Sequence, residues 1–159
     1  MSPGTSPNDL YLRYGSVVYR RARRLLGDEQ AAKDACHEVF LRLFRSLPEL
    51  DRASPLTWLY KVTTNFCLNL IRDEERRRKL LAAQAATSTS PAGGPSLAEL
   101  LRGFPEELQE VAVYYFVDGM SQDEIAEVLG ISQRTVSNRV SAFRAMAKAA
   151  WSVDAVEAT

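Results

Sequence analysis

Basic and amide side chains recur along one edge of a predicted helix near the middle of the sequence. Trp58, Lys61, Asn65, Asn69 and Arg72 follow one another at intervals of three or four residues, so at about 100° per residue they share a narrow arc of the helix. The cations of such an edge can contact DNA phosphates, and the aromatic residue can hold an unstacked base. A polar helix edge is also the ordinary solvated surface of a globular protein, so this pattern alone leaves both interpretations open.

A second group of polar residues follows a helix-turn-helix pattern near the C-terminus. Ser121 and Glu124 have the spacing of a capping box, Gly130 suits a tight turn, and Ser132 can cap the next helix. The outer face of that helix can contact phosphates and read base edges in a major groove. A helical hairpin with a polar outer side is the alternative, and it does not require these signals to occur together. The residues predicted to contact DNA here are Gln133, Arg134, Thr135, Ser137, Asn138 and Arg139.

The elements that must position these residues are predicted to be helices alone. Apolar residues at helical spacing predict an all-α fold of two small domains joined by a flexible linker. Asp9 is expected to cap the first helix and Gly27 to end it. In the third helix, the expected core residues are Leu59, Val62, Phe66 and Leu70. The predicted helices span residues 9–26, 29–46, 56–81, 97–102, 105–117, 122–129 and 133–151. The predicted organisation is a tail (1–8), a three-helix domain (9–81), a linker (82–96), a helix-turn-helix domain (97–151) and a tail (152–159).

Composition restricts the classes of function. The 159 residues carry no net charge, but residues 1–80 hold 15 Lys or Arg against 10 Asp or Glu, and residues 81–159 hold 5 against 10. A basic first half favours a polyanionic partner. Cys36, Cys67 and the single histidine, His37, lack metal spacing. Neither a signal peptide nor a long apolar segment is present, so we expect a cytoplasmic protein without membrane insertion.

The order of the motifs is similar to that of a known family. Residues 10–79, through the segments 22–28, 38–43 and 57–60, resemble region 2 of the extracytoplasmic-function sigma factors, a group of the sigma-70 family. Residues 97–150, through the segments 104–105, 119–121, 124–126, 129–132 and 135–136, resemble region 4 of the same family. Two modules in the same order make this resemblance more specific than either module alone.

The resemblance implies a promoter-specific subunit of RNA polymerase without catalysis, cofactor or small-molecule substrate. Region 2 would bind the clamp of the polymerase beta-prime subunit through Asp34, Glu38, Leu41 and Arg42. The loop 47–55 and the helix edge with Trp58, Lys61, Asn65, Asn69 and Arg72 would bind the −10 element and capture an extruded base. Region 4 would sit on the beta flap and bind the −35 element through the helix after Ser132. An anti-sigma factor is the expected regulator.

Two other classes of function remain as alternatives. A conventional helix-turn-helix regulator, with a sensing or dimerisation module ahead of the linker, would bind a palindromic operator without polymerase. An enzyme would need a paired acid and base, an activated nucleophile, a glycine-rich phosphate loop or a metal cluster, and the sequence contains none of these patterns.

Overall fold

The computed structural model describes residues 6–46, 54–82 and 97–157, with side chains up to residue 152. The predicted linker from residue 83, most of the predicted loop 47–55 and the two chain ends lie outside the described residues. Within the described ranges there are helices and no strand, which confirms the predicted all-α class. The helices are α1 (Pro7–Leu26), α2 (Glu29–Arg45), α3 (Pro55–Ala82), α4 (Leu97–Leu101), α5 (Glu106–Ala112), α6 (Gln122–Leu129) and α7 (Gln133–Glu157), with a π-helical turn at Val113–Val117.

The chain divides into two compact units, Met1–Arg102 and Gly103–Thr159. Helix α4 belongs to the first unit and packs against α1 and α3. Leu101 is buried, and Arg102 forms an ion pair with Glu75 of α3 at 2.8 Å. Residues 97–102 were predicted to belong to the second domain. The observed grouping differs because a five-residue helix gains its stability from the apolar surface it covers.

Helix α1 begins earlier than expected. Ser6, rather than Asp9, is the N-cap: its hydroxyl accepts the Asp9 backbone N–H at 3.1 Å, and Pro7 occupies the first helical position. Proline suits that position because its missing N–H would have no helical partner there. The predicted stop at Gly27 is confirmed, since this residue has φ +74° and donates its N–H to the Arg23 carbonyl.

The core of the first unit lies between α1, α2 and α3. On α3 its buried residues are Leu59, Thr63, Thr64, Cys67, Leu68 and Ile71. Of the core residues predicted on this helix, Leu59 is buried and Val62 and Phe66 are half-buried. Leu70 is 37% exposed, so its placement in the core was wrong. It lines a cavity of about 600 Å³ beside Leu26 and Ala31, where the helices do not close over it.

The second unit is built around Phe143 of α7. Its ring lies 4.5 Å from that of Phe104, 5.6 Å from that of Phe116 and 6.4 Å from that of Trp151, measured between ring centroids. The predicted helix 105–117 is instead α5 followed by a π-helical turn, and Phe116 in this turn is 47% exposed. Helix α7 continues to Glu157 where a tail was predicted, because no glycine or proline interrupts residues 152–157.

Candidate nucleic-acid interface

Four polar residues form what we call the polar edge of α3: Lys61, Asn65, Asn69 and Arg72. Lys61 and Asn69 are exposed, and Asn65 and Arg72 are half-buried. At helical spacing this edge lies opposite the buried face that contains Thr63 and Cys67. The Arg72 guanidinium donates a hydrogen bond to the Asn69 side-chain oxygen. The edge therefore presents a cation, amide groups and a paired guanidinium on one surface, as contact with a phosphate backbone requires.

Trp58 is placed differently from the rest of the predicted −10 site. It is half-buried and packs against the core cluster of the first unit. Trp58 shares the arc of the polar edge at helical spacing, but its ring packs on the core. The remainder of the predicted base-binding loop, residues 47–53, lies outside the described residues.

A buried polar network holds α3 against α1. Arg21 is 7% exposed, and its Nε and one terminal nitrogen donate to the Thr64 hydroxyl at 2.9 and 2.7 Å. The Thr64 hydroxyl donates in turn to the Tyr60 carbonyl at 2.7 Å. The Arg21 guanidinium also lies 4.6 Å from the centroid of the Tyr60 ring, within the range of a cation–π contact. This network was not predicted. Arg21 lies on the apolar stripe of α1, three positions after Val18 and next to Ala22, and an arginine on such a stripe was the one signal in the sequence.

The two cysteines line the core and are suited to neither metal binding nor nucleophilic attack. Burial raises the pKa of the Cys67 thiol to about 12, while the nearby Arg21 charge acts in the opposite direction. Burial also raises the pKa of the Cys36 thiol. Both groups are therefore neutral thiols near neutral pH, whereas the thiolate is the reactive form. Among the described residues, no group of three or more His, Cys, Asp or Glu could hold a metal ion.

The residues predicted to bind polymerase share the outer face of α2. Asp34 and Arg42 are exposed, and Glu38 and Leu41 are half-buried. Arg42 pairs with Glu38 at 3.3 Å, and its guanidinium lies 4.8 Å from the centroid of the Phe66 ring on α3. Because Phe66 follows Asn65 directly in the chain, the α2 surface and the polar edge of α3 adjoin one another within the first unit.

The helix-turn-helix of the second unit has the predicted caps. Ser121 and Glu124 form a complete capping box, with bonds of 3.2 and 2.7 Å between each side chain and the other residue's backbone N–H. Gly130 has φ +67°, which a residue with a Cβ adopts only at a cost. Ser132 accepts the Thr135 N–H at 3.1 Å, as a cap at the start of α7 should. The tight turn between α6 and α7 is therefore fixed by local interactions.

The predicted DNA-contacting residues on α7 differ in accessibility. Gln133, Arg134 and Asn138 are exposed, and Ser137 and Arg139 are half-buried. Thr135 is also half-buried, and its hydroxyl lies 2.8 Å from that of Ser132, so this group is already engaged by the cap. The buried side of the helix carries Val136, Val140, Phe143 and Ala147.

Arg144 of α7 contacts the aromatic side chains of the π-helical turn. Its guanidinium lies 5.5 Å from the centroids of both the Tyr115 and Phe116 rings, and it donates to the Tyr115 hydroxyl at 3.4 Å. The sequence could not reveal this contact, because it joins residues 29 positions apart through the packing of two helices.

Two family models together match most of the chain. The model described as Sigma-70 region 2 matches residues 10–77, and the model described as Sigma-70, region 4 matches residues 96–148. The second match includes α4, which packs in the first unit here. No described helix has the length and apolar character needed to cross a membrane.

Curated relatives and solved structures agree with these matches. The chain is 30% identical over 146 residues to the ECF RNA polymerase sigma factor SigE of Mycolicibacterium smegmatis, covering 84% of this chain but only 56% of that relative. It is 30% identical over 144 residues to the ECF RNA polymerase sigma factor SigL of Mycobacterium tuberculosis, covering 82% of this chain and 80% of the relative. The structure of CnrH in complex with the cytosolic domain of CnrY superposes with a TM-score of 0.62 at 26% identity, covering 93% of this chain and 88% of CnrH; CnrH is a sigma factor of Cupriavidus metallidurans.

Proposed function

The chain belongs to the extracytoplasmic-function sigma factors of the sigma-70 family, and we propose that it directs core RNA polymerase to a specific set of promoters. In this role it recognises the −35 and −10 elements and stabilises the opened DNA. It performs no covalent chemistry itself, because the opening of DNA needs only binding that favours the melted state. It acts in the cytoplasm, where polymerase and promoter DNA are found.

The observation that supports this proposal most strongly is the presence of two different polar surfaces in one chain. The first unit carries the polar edge of α3, and the second carries a fully capped helix-turn-helix. A conventional regulator needs the second surface but has no use for the first. Asn65 and Arg72 on α3 would bind the −10 element, and Arg134, Asn138 and their neighbours on α7 would contact the −35 element.

The protein partners follow from the same surfaces. We assign the outer face of α2, with Asp34, Glu38, Leu41 and Arg42, to the beta-prime clamp of polymerase, and the second unit to the beta flap. CnrH was solved with the cytosolic domain of CnrY bound, and we propose that a protein of comparable role, an anti-sigma factor, controls this chain by covering the polymerase-binding surfaces.

Run-off transcription from a genomic promoter library, with and without this protein, tests the proposal. We expect new start sites that share spaced −35 and −10 elements and that require both core polymerase and the chain. If no transcript is gained, and the protein alone retards DNA that carries a palindromic site, it is a conventional regulator instead.

One pair of substitutions tests the assignment of the polar edge of α3. Asn65→Ala with Arg72→Ala should reduce promoter opening and leave the binding of polymerase unchanged. Arg13→Ala removes one charge from an exposed position on α1 and serves as the control, which should open promoters normally. Loss of polymerase assembly in this pair would show that the polar edge of α3 has been assigned to the wrong partner.

A further inference from the structure

We propose that Arg21 is a positioning residue, which sets the rotation of α3 and thereby the direction in which the polar edge of α3 meets promoter DNA. It would act through Thr64 and Tyr60 without touching DNA, since its side chain is buried. This inference rests on the proposed function, and it adds a buried residue of α1 to the machinery of promoter opening.

The network contacts α3 at the turns that carry the first residues of the polar edge. Arg21 contacts the ring of Tyr60 and the hydroxyl of Thr64. These two residues directly precede Lys61 and Asn65, the first two members of the polar edge. The Thr64 hydroxyl uses its one hydrogen as a donor to the Tyr60 carbonyl and accepts both bonds from Arg21. The contacts of Arg21 with Tyr60 and Thr64 are therefore directed at the segment that carries the edge.

The apolar core around Arg21 does not by itself fix the rotation of α3, so contacts with a fixed direction are needed. Apolar burial depends on the area removed from water and tolerates small rotations of a helix. A planar guanidinium with fixed N–H directions does not, because a hydrogen bond weakens steeply when it is bent. On a helix with a side-chain radius of about 5–6 Å, a rotation of roughly 20° moves an outer side chain by about 2 Å. Such a shift would break contacts between Asn65 or Lys61 and a phosphate.

The adjacent threonine provides an internal comparison. Thr63 is as fully buried as Thr64, but its hydroxyl has no hydrogen-bond partner among the described residues. A threonine at this depth is therefore tolerated by the fold without any network. The bonds to Thr64 are a separate feature, and they reach across 43 residues of sequence to a second helix.

Matched variants of Thr64 and Arg21 test the inference in the full-length chain. Thr64→Ser keeps the hydroxyl, Thr64→Val removes it, and the double variant Arg21→Met with Thr64→Val removes both polar partners while the methionine can still pack on Tyr60. Thr63→Val is the control for a valine in this core. Two quantities are measured: backbone amide chemical shifts along α3 in the free protein, and the rate of open-complex formation with core polymerase.

We expect the double variant to be folded and to bind polymerase normally, but to form open complexes roughly tenfold more slowly, with amide signals shifted at Lys61 and Asn69, away from the substituted residue. Thr64→Ser and Thr63→Val should open promoters at the wild-type rate and shift only the amide signals next to the substitution. A folded double variant with unchanged amide shifts and a normal opening rate overturns the inference and leaves Arg21 a structural residue. If the double variant does not fold, Thr64→Val compared with Thr64→Ser, at a temperature where both are folded, decides in the same way.

The failure of the proposed function is recognised separately. If the wild-type chain forms no polymerase-dependent open complex, the function is wrong, and Arg21 cannot then position a promoter contact. The amide shifts in the free protein still report whether Arg21 sets the orientation of α3, because that measurement needs neither polymerase nor DNA.

Discussion

Thr63 and Thr64 provide a direct measurement of what the buried network contributes to stability. Both side chains are fully buried, but only the Thr64 hydroxyl accepts hydrogen bonds from Arg21. Replacing either residue with valine keeps the shape and removes the hydroxyl. The two variants therefore differ in whether Arg21 loses the Thr64 oxygen as a hydrogen-bond acceptor.

The expected magnitudes follow from the partners. A hydrogen bond to a charged group contributes about 1.5–3 kcal/mol, and a buried donor left without an acceptor adds a further penalty. Two bonds share the Thr64 oxygen, so we expect Thr64→Val to lower the free energy of unfolding of the first unit by about 3 kcal/mol. Thr63→Val removes a hydroxyl without a partner among the described residues, so it should change stability by less than about 0.5 kcal/mol or raise it slightly.

Urea denaturation followed by fluorescence measures both variants. The chain has two tryptophans, and in a Trp151→Phe background only Trp58, which packs against the core of the first unit, remains as the reporter. With a urea slope of about 1.5 kcal/mol per molar, Thr64→Val should lower the midpoint by about 2 M, while Thr63→Val should leave it nearly unchanged. Equal midpoints for the two variants would refute the energetic role of the bonds between Arg21 and Thr64.

Three further predictions concern the DNA-binding surface, a buried thiol and a turn. Replacing Arg134 and Arg139 with alanine should weaken promoter binding by the holoenzyme. The slope of the logarithm of the binding constant against the logarithm of the salt concentration should become shallower by about one unit per lost phosphate contact. Filter binding across a salt series measures this slope, and an unchanged slope would place these side chains away from the phosphates. The raised pKa of Cys67, about 12 against an ordinary 9.0, means that the neutral thiol stabilises the fold below pH 9 and that this contribution is lost as the pH rises from 9 toward 12, by up to about 1.4 kcal/mol per pH unit. Urea midpoints over this range should therefore fall more steeply for the wild type than for Cys67→Ala, and parallel curves would contradict the assignment. Gly130→Ala should destabilise the second unit by about 1 kcal/mol, because φ is +67° at this residue. Gly15→Ala, within helix α1, should instead stabilise the first unit by up to about 1 kcal/mol. Thermal unfolding followed by circular dichroism compares the two variants, and similar small effects would mean that the turn at Gly130 tolerates a Cβ.

Much of the fold could be predicted from the sequence, although some boundaries could not. The stop at Gly27 and the capping box of Ser121 and Glu124 were predicted and are present. The start of α1 was misplaced because Ser6 and Asp9 are both acceptable caps, and the choice depends on which side chain accepts the free N–H. The grouping of α4 differed because a helix of five residues carries little sequence pattern of its own.

The predicted binding residues lie on the expected helices, and their arrangement in space came from the structure. The polar edge of α3 follows from helical spacing alone, as does the outer face of α2. The stacking of Arg42 on Phe66, which brings these two surfaces together, depends on how α2 packs on α3. The contact between Arg144 and Tyr115 likewise depends on how two elements pack, so it was not evident from the position of Arg144 on α7.

The all-α class, the two modules, the main caps and the family could be predicted from the sequence. Each of these features depends on interactions between residues three or four positions apart, or on motifs that are read along the chain. The packing of α1 on α3 buries Arg21 and bonds it to Thr64, while other arginines of α1, such as Arg20 and Arg24, remain exposed. The physical reason is that a buried cation requires acceptors in fixed positions, and those acceptors come from a helix that is distant in sequence.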